Sequence, residues 1–338
     1  MEFVTFTIII DDIVHPDGRT LMESLGGGGP QTAFGARLWL SESDTRIGLA
    51  ASVGPDFPNS CLKWVKDMQI DCEGLLPSNF PTMRAWQILE SDGRRTQVWR
   101  VAVGDEVWDM LRPPIETLPS GYKRAKVYHV GVHPSARDVP FILSLRATGA
   151  EVVSIETYTH SEIILTLSEL RALITSAHIF SPNDKEAMSL VGPGTPMEVI
   201  KRLVELGAMV VSLRRGSLGC IVHRADTGET WDIPAFHTIM TAKTLNEKSG
   251  EGGVTHKKSF DCRVVDPTGC GNTFCGGFAA GWWKTRDLLT SGLWGSVSAS
   301  FMIEHEGVPP PPIQKWRSEV QMRLQMLKPF ARQLRLDE

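Results

Sequence analysis

The chain predicts an α/β fold, with a central, mostly parallel sheet flanked by helices on both faces. Three observations carry that expectation. From Ala125 onward, β-branched runs alternate with helical patterns, with candidate strands over Lys126 to Val130, Glu151 to Ile155, Ala177 to Phe180 and Ala208 to Leu213. That is the texture of a parallel sheet covered on both sides. Late in the chain, Val264 to Phe278 reads as the end of a buried strand, a glycine turn and a helix of small residues. Between Met83 and Val101, two β-rich arms flank Ser91-Asp92-Gly93-Arg94, a strong hairpin signal. The length of 338 residues suits one large domain with a small appendage.

Composition narrows the partners. Lys and Arg total 35 against 39 Asp and Glu, a formal net charge of −4. No basic field exists to hold nucleic acid or an anionic membrane, so any phosphate site must be local and the partner a small molecule. Cys61, Cys72, Cys220, Cys262, Cys270 and Cys275 form no Cys-x-x-Cys pair, which argues against zinc and against a disulfide framework. They read as reduced thiols of a cytoplasmic protein. The run from Val4 to Ile10 meets Asp11 and Asp12 too soon for a membrane span and has no basic leader, so it reads as a strand. Its carboxylates then sit at the C-terminal edge of the sheet, where open parallel sheets bind ligands, or they cap a turn.

The remaining elements follow in order. Gly26 to Gly29 is a glycine run ahead of a helical pattern from Phe34 to Leu40; it permits close approach to a ligand or forms a flexible loop. His129 and His133 lie four apart on a strand, which is not the helical spacing of a metal pair. Ser181-Pro-Asn183-Asp-Lys-Glu186 reads as a helix cap with a favourable first-turn Glu. Arg214 and Arg215 precede a Gly216-Ser-Leu-Gly219 turn. The segment 237–260 is long and poor in apolar periodicity, and reads as a flexible insertion. Gly292 to Ile303 predicts a helix, broken by Gly307 to Pro312, and Trp316 to Leu334 predicts an amphipathic helix that Pro329 kinks or ends.

The turn at Gly269-Cys270-Gly271 carries the chemistry. Unpaired N–H groups at a helix N-terminus converge on one point and the helix dipole adds positive charge, so phosphate or an oxyanion fits there. Asp266-Pro267-Thr268-Gly269-Cys270-Gly271-Asn272-Thr273-Phe274 resembles the second signature of the ribokinase-like PfkB carbohydrate kinases, Asp-Thr-x-Gly-Ala-Gly-Asp-x-Phe. Asn272 stands where that family keeps the aspartate that accepts the proton of the attacking hydroxyl. In this respect the chain looks most like the fungal PfkB-like subgroup named for maintenance of killer toxin.

The resemblance implies a ribokinase-like fold with a small β lid, built from about 81–103 and part of the N-terminal region. It implies ATP and Mg²⁺ as cofactors. Asp11 matches the family's sugar-binding aspartate, with Asp12 beside it, although Phe6 replaces the usual glycine of that strand. Gly28, Gly29 and Gln31 resemble the first signature, with Gln31 in place of Asn. Asn183 and Glu186 match the Asn-x-x-Glu motif that helps hold metal and phosphates through water. Arg215, Gly216 and Gly219 resemble the nucleotide-phosphate turn, and Asp266 and Thr268 fall on the same side. Trp86, Trp99 and Trp108 either line an aromatic acceptor pocket or pack the hairpin.

Two functions stay open at this point. One is a weak or atypical ATP-dependent kinase of a sugar- or nucleoside-like alcohol, either slow for want of the base or using Asp11 or Asp266 as a substitute. The other is a pseudokinase or a repurposed enzyme that does not transfer phosphate. The chain is a monomer or a homodimer in either reading.

Overall fold

The computed structural model describes residues 1–91, 95–100, 111–241 and 264–335. Its main sheet runs parallel through β1 (Phe3–Phe6), β4 (Ile47–Val53), β5 (Leu75–Pro77), β8 (Val127–Val132), β9 (Val152–Thr157), β10 (Ile179–Phe180) and β11 (Val210–Arg214). β12 (Cys220–Arg224), β13 (Glu229–Ile233) and β14 (Arg332–Leu334) extend it antiparallel. The order is β14-β13-β12-β11-β10-β9-β8-β1-β4-β5. A second sheet, ordered β3-β2-β6-β7, comprises β2 (Ile9–Val14), β3 (Thr20–Gly26), β6 (Arg84–Leu89) and β7 (Arg95–Trp99).

The strands are apolar at consecutive positions because both faces are covered. Phe3, Val127, Val152, Ile179 and Val210 face one core, with α1 (Gly28–Arg37), α2 (Asn59–Asp67), α7 (Cys270–Thr285), α8 (Leu288–Met302) and α9 (Ile313–Leu327). Their neighbours Val4, Tyr128, Val153, Phe180 and Val211 face the other, with α3 (Val139–Ala147), α4 (Leu167–Thr175), α5 (Asp184–Val191) and α6 (Pro196–Glu205). The expected helix-flanked parallel sheet is therefore present. α4, α5 and α6 start alike: Thr166, Asn183 and Thr195 accept from the third helical amide, and Glu169, Glu186 and Glu198 answer the cap's own N–H. Each box satisfies two otherwise unpaired donors.

Several expectations need correction. The single strand from Val4 to Ile10 is two strands. Thr7 takes a left-handed φ of 82° and the chain crosses from the main sheet into the second one. Asp11 and Asp12 therefore lie within β2 rather than at the main sheet's C-terminal edge. Val264 and Val265 form no strand; the Val265 and Asp266 amides both donate to the Ile303 carbonyl, 2.8 and 3.2 Å away, pinning the segment to the end of α8. The helix expected from Phe34 begins six residues earlier, at Gly28. α9 stops at Leu327, Pro329 sits in a short 3₁₀ turn, and Arg332–Leu334 pairs with β13 instead of continuing the helix.

The hairpin pairs as expected, Ala85 with Trp99 through Leu89 with Arg95, but its Asp92-Gly93 turn and Trp108 lie outside the described residues. So do Cys262 and most of 237–260. At the start of that segment, residues 236–241 are helical, Met240 is buried, and His237 Nε2 lies 2.9 Å from Glu304 Oε1. Among the described residues no helix is long and apolar enough to cross a membrane.

Candidate active site

A cavity of about 610 Å³ opens between the two sheets, where β2 of the second sheet faces the start of α1, the ends of β9 and β11, and the N-terminus of α7. The turn before α7 is built as the sequence requires. Gly269 has φ 80°, a left-handed conformation that a side chain disfavours, and a Cβ there would also lie 2.5 Å from the Gln31 amide carbon. α7 has no acidic residue in its first turn and no side-chain cap; the Cys270 amide donates to the Pro267 carbonyl at 3.2 Å, and Gly271 and Asn272, which follow it at the helix N-terminus, stand on the cavity wall.

Close packing of α1 on α7 brings the first signature to the second. A Cβ at Gly276 would lie 2.0 Å from the Thr32 carbonyl oxygen and one at Gly35 2.1 Å from that of Thr273, so only glycine permits the approach. Thr32 Oγ1 donates to the Asn272 carbonyl at 3.1 Å, and Asn272 Nδ2 donates to Gln31 Oε1 at 2.5 Å. Asn272 therefore offers an amide engaged with a second amide at the position where a proton acceptor is expected.

Asp11 is buried, lines the cavity and accepts from Gln87 Nε2 at 2.8 Å. Asp12, its neighbour, points elsewhere. Strand alternation turns it to the opposite face, where it accepts from the Glu23 amide at 2.9 Å and pairs with Arg100. Of the two carboxylates expected at a substrate, Asp11 alone lines the cavity. Trp99 lines the cavity, whereas Trp86 lies under the Arg100 guanidinium, 4.7 Å from ring centre to Cζ.

The floor is a charged cluster. Arg214 Nη2 lies 2.9 Å from Glu156 Oε2 and 3.3 Å from Glu186 Oε2, and its Nε donates to the Ser181 carbonyl at 3.1 Å. Glu186 also accepts from the Asn183 amide at 2.8 Å, from Asn183 Nδ2 at 2.6 Å and from Thr157 Oγ1 at 3.2 Å. Burial pushes the Glu186 carboxyl up to about 7, the nearby Glu156 charge working in the same direction and Arg214 against it. For Glu156, burial acts to raise the value, yet Arg214, His129 and Cys275 together hold it below the ordinary carboxylate range.

His129 Nε2 lies 3.3 Å from Glu156 Oε1, and the Cys275 thiol donates to Glu156 Oε2 at 3.5 Å. These three could group around an ion, but Arg214 already supplies the positive charge. His133 is turned away to Ser135 Oγ at 2.9 Å, so the two histidines do not form a pair.

Of the residues singled out in the sequence, Asp11, Gly28, Gln31, Asn183, Glu186, Asp266, Thr268, Gly269, Gly271 and Asn272 line this one cavity. Gly29 and Cys270 are adjacent in the chain but not on its wall. Arg215 is drawn off to Asp232, and with Gly216 and Gly219 it lies outside the lining. Glu156, Gln87 and Gln97 escaped the sequence reading; the one available signal for Glu156 was a carboxylate at the end of an otherwise apolar run.

The fold and the cavity define a small-molecule kinase architecture. Residues 3–315 match the model of the pfkB family of carbohydrate kinases, and the chain belongs to that family. It is 26% identical over 281 residues to the cytidine kinase of Thermococcus kodakarensis, covering 83% of this chain and 88% of that one. It is 33% identical over 100 residues to protein MAK32 of Saccharomyces cerevisiae, a match spanning 29% of this chain and 22% of that one. Arabidopsis thaliana ribokinase, solved with ribose and ATP, superposes with a TM-score of 0.60 at 18% identity, covering 96% of this chain and 99% of that one.

Proposed function

We propose that this chain binds ATP at the α7 turn and acts as a slow phosphotransferase toward a nucleoside- or sugar-like alcohol. One observation carries the reading. The uncapped α7 N-terminus, with Gly269 and Gly271, opens into the same cavity as Asp11 and Gln31, so a phosphate site and an acceptor site share one space. The match to a cytidine kinase over most of both chains favours a nucleoside among the acceptors. The partial likeness to MAK32 is in keeping with the fungal subgroup that Asn272 suggests.

In this family ATP supplies the transferable phosphoryl group. The α7 amides would neutralise its charge, and Asp11, held by Gln87, would orient the acceptor hydroxyls. Removing a general base costs about 10² to 10⁴-fold, or roughly 3 to 5 kcal/mol of barrier. Asn272 has no proton-accepting site of that strength, so the reaction proceeds at the residual rate set by positioning and electrostatics.

Mg²⁺ held at Asn183 and Glu186 does not fit this arrangement. Their side chains are spent on each other, and the Arg214 guanidinium already stands 3.3 Å from Glu186.

A second reading is favoured by the Asn272–Gln31 bond, which closes the catalytic position with two amides: a nucleotide-binding protein that has lost transfer. Calorimetric titration with a non-hydrolysable ATP analogue tests what both share. Binding in the micromolar range supports them, and silence up to millimolar analogue removes both.

A further inference from the structure

A largely buried guanidinium stands against the start of α7. Arg214 leaves the end of β11 and reaches the α7 turn; a Cβ at residue 271 would lie 2.1 Å from Arg214 Nη1, so Gly271 is what admits the guanidinium. Its Nε and Nη2 are occupied by the Ser181 carbonyl and by Glu156 and Glu186. Nη1 is the atom that faces the turn. The side chain is only 12% exposed, and its planar fork is fixed from three directions.

A lysine could not reproduce that. Its single ammonium cannot bond two carboxylates and a carbonyl while presenting a further N–H to the turn. The two carboxylates beside it, Glu156 and Glu186, are paired with the guanidinium.

We propose that Arg214 serves as a resident counter-charge for the phosphates at the Gly269–Gly271 turn, so that their binding does not depend on Mg²⁺. This rests on the reading of the α7 turn as a phosphate site. Charge-assisted hydrogen bonds from a guanidinium to phosphate are strong and directional, and a partly buried one is weakly screened. A fixed cation also costs no metal recruitment.

The test is calorimetric titration with inorganic pyrophosphate, once in excess Mg²⁺ and once in EDTA, on the wild type, Arg214→Lys and Arg214→Met, with thermal melts confirming that each variant folds. Wild-type affinity is expected to change by less than about threefold between the two conditions. Both variants are expected to lose at least about tenfold in EDTA, and to recover part of it with Mg²⁺. If Arg214→Met does not fold, the wild-type comparison decides alone. Wild-type binding that collapses in EDTA overturns the inference and leaves the phosphate site standing, as does unaltered binding by a folded Arg214→Met. Absence of pyrophosphate binding by the wild type in both conditions overturns the phosphate site and the inference together.

Discussion

Asn272 Nδ2 donates to Gln31 Oε1 at 2.5 Å, joining helices whose contributing residues are 241 positions apart. The bond ties α1 to the start of α7 on the wall of the cavity. It also orients the Asn272 amide with its donor toward Gln31.

The two amides should be energetically coupled. In a double-mutant cycle of Gln31→Ala and Asn272→Ala, denaturant unfolding is expected to give a coupling of about 0.5 to 1.5 kcal/mol, the usual net worth of such a bond. Strict additivity would mean that the bond is not made in solution.

Gly271→Ala separates space from backbone strain. Gly271 is not in the left-handed region, so alanine suits its φ, but the new methyl would lie 2.1 Å from Arg214 Nη1. The guanidinium must move. Because that guanidinium is held by Glu156, Glu186 and the Ser181 carbonyl, stability is expected to fall by about 1 to 3 kcal/mol, and pyrophosphate affinity about tenfold or more. Unaltered affinity would show that Arg214 plays no part in anion binding.

Acid stability should report on Glu304, which does not line the cavity. Burial acts to raise its carboxyl, and the hydrogen bonds from His237 and Arg323 outweigh burial, so it titrates in the fold below the ordinary 4.5. A depressed carboxylate contributes stability that is fully present above its unfolded value and is lost as pH falls through the folded one. The melting temperature of Glu304→Gln is therefore expected to lie below that of the wild type near pH 7, with the gap closing as the pH drops below 4.5. A gap that persists unchanged into acid would assign the effect to packing.

Much of this was legible in the sequence, for physical reasons. The Asn183–Glu186 box is a local motif with fixed spacing, and it forms as such. Gly269 announced a turn whose left-handed φ favours glycine, whereas Gly271 answers to the Arg214 guanidinium packed against it. What the sequence could not resolve was facing. Asp11 and Asp12 are neighbours on β2, where consecutive residues point to opposite faces, and Arg214 ends β11 while Arg215 opens the turn that follows. In each pair one member reaches the cavity and the other pairs elsewhere, and only the packing of β2 and β11 decides which. Glu156 was hidden for a related reason: its role comes from Arg214, His129 and Cys275, which are distant in sequence. The strand expected at Val264–Val265 failed because the Ile303 carbonyl claims the amides a strand would need.

The measurement that tests the account most directly is ATP-dependent phosphorylation by the wild type and Asn272→Asp, read as ADP release over a panel of nucleosides and sugars that includes cytidine. Restoring the acid puts a proton acceptor beside Gln31, whose amide can turn to donate to it. The account predicts a slow wild-type rate and a gain of about tenfold or more in the variant. Equal rates, or none in either protein while the ATP analogue still binds, would contradict the claim that Asn272 is what limits this kinase.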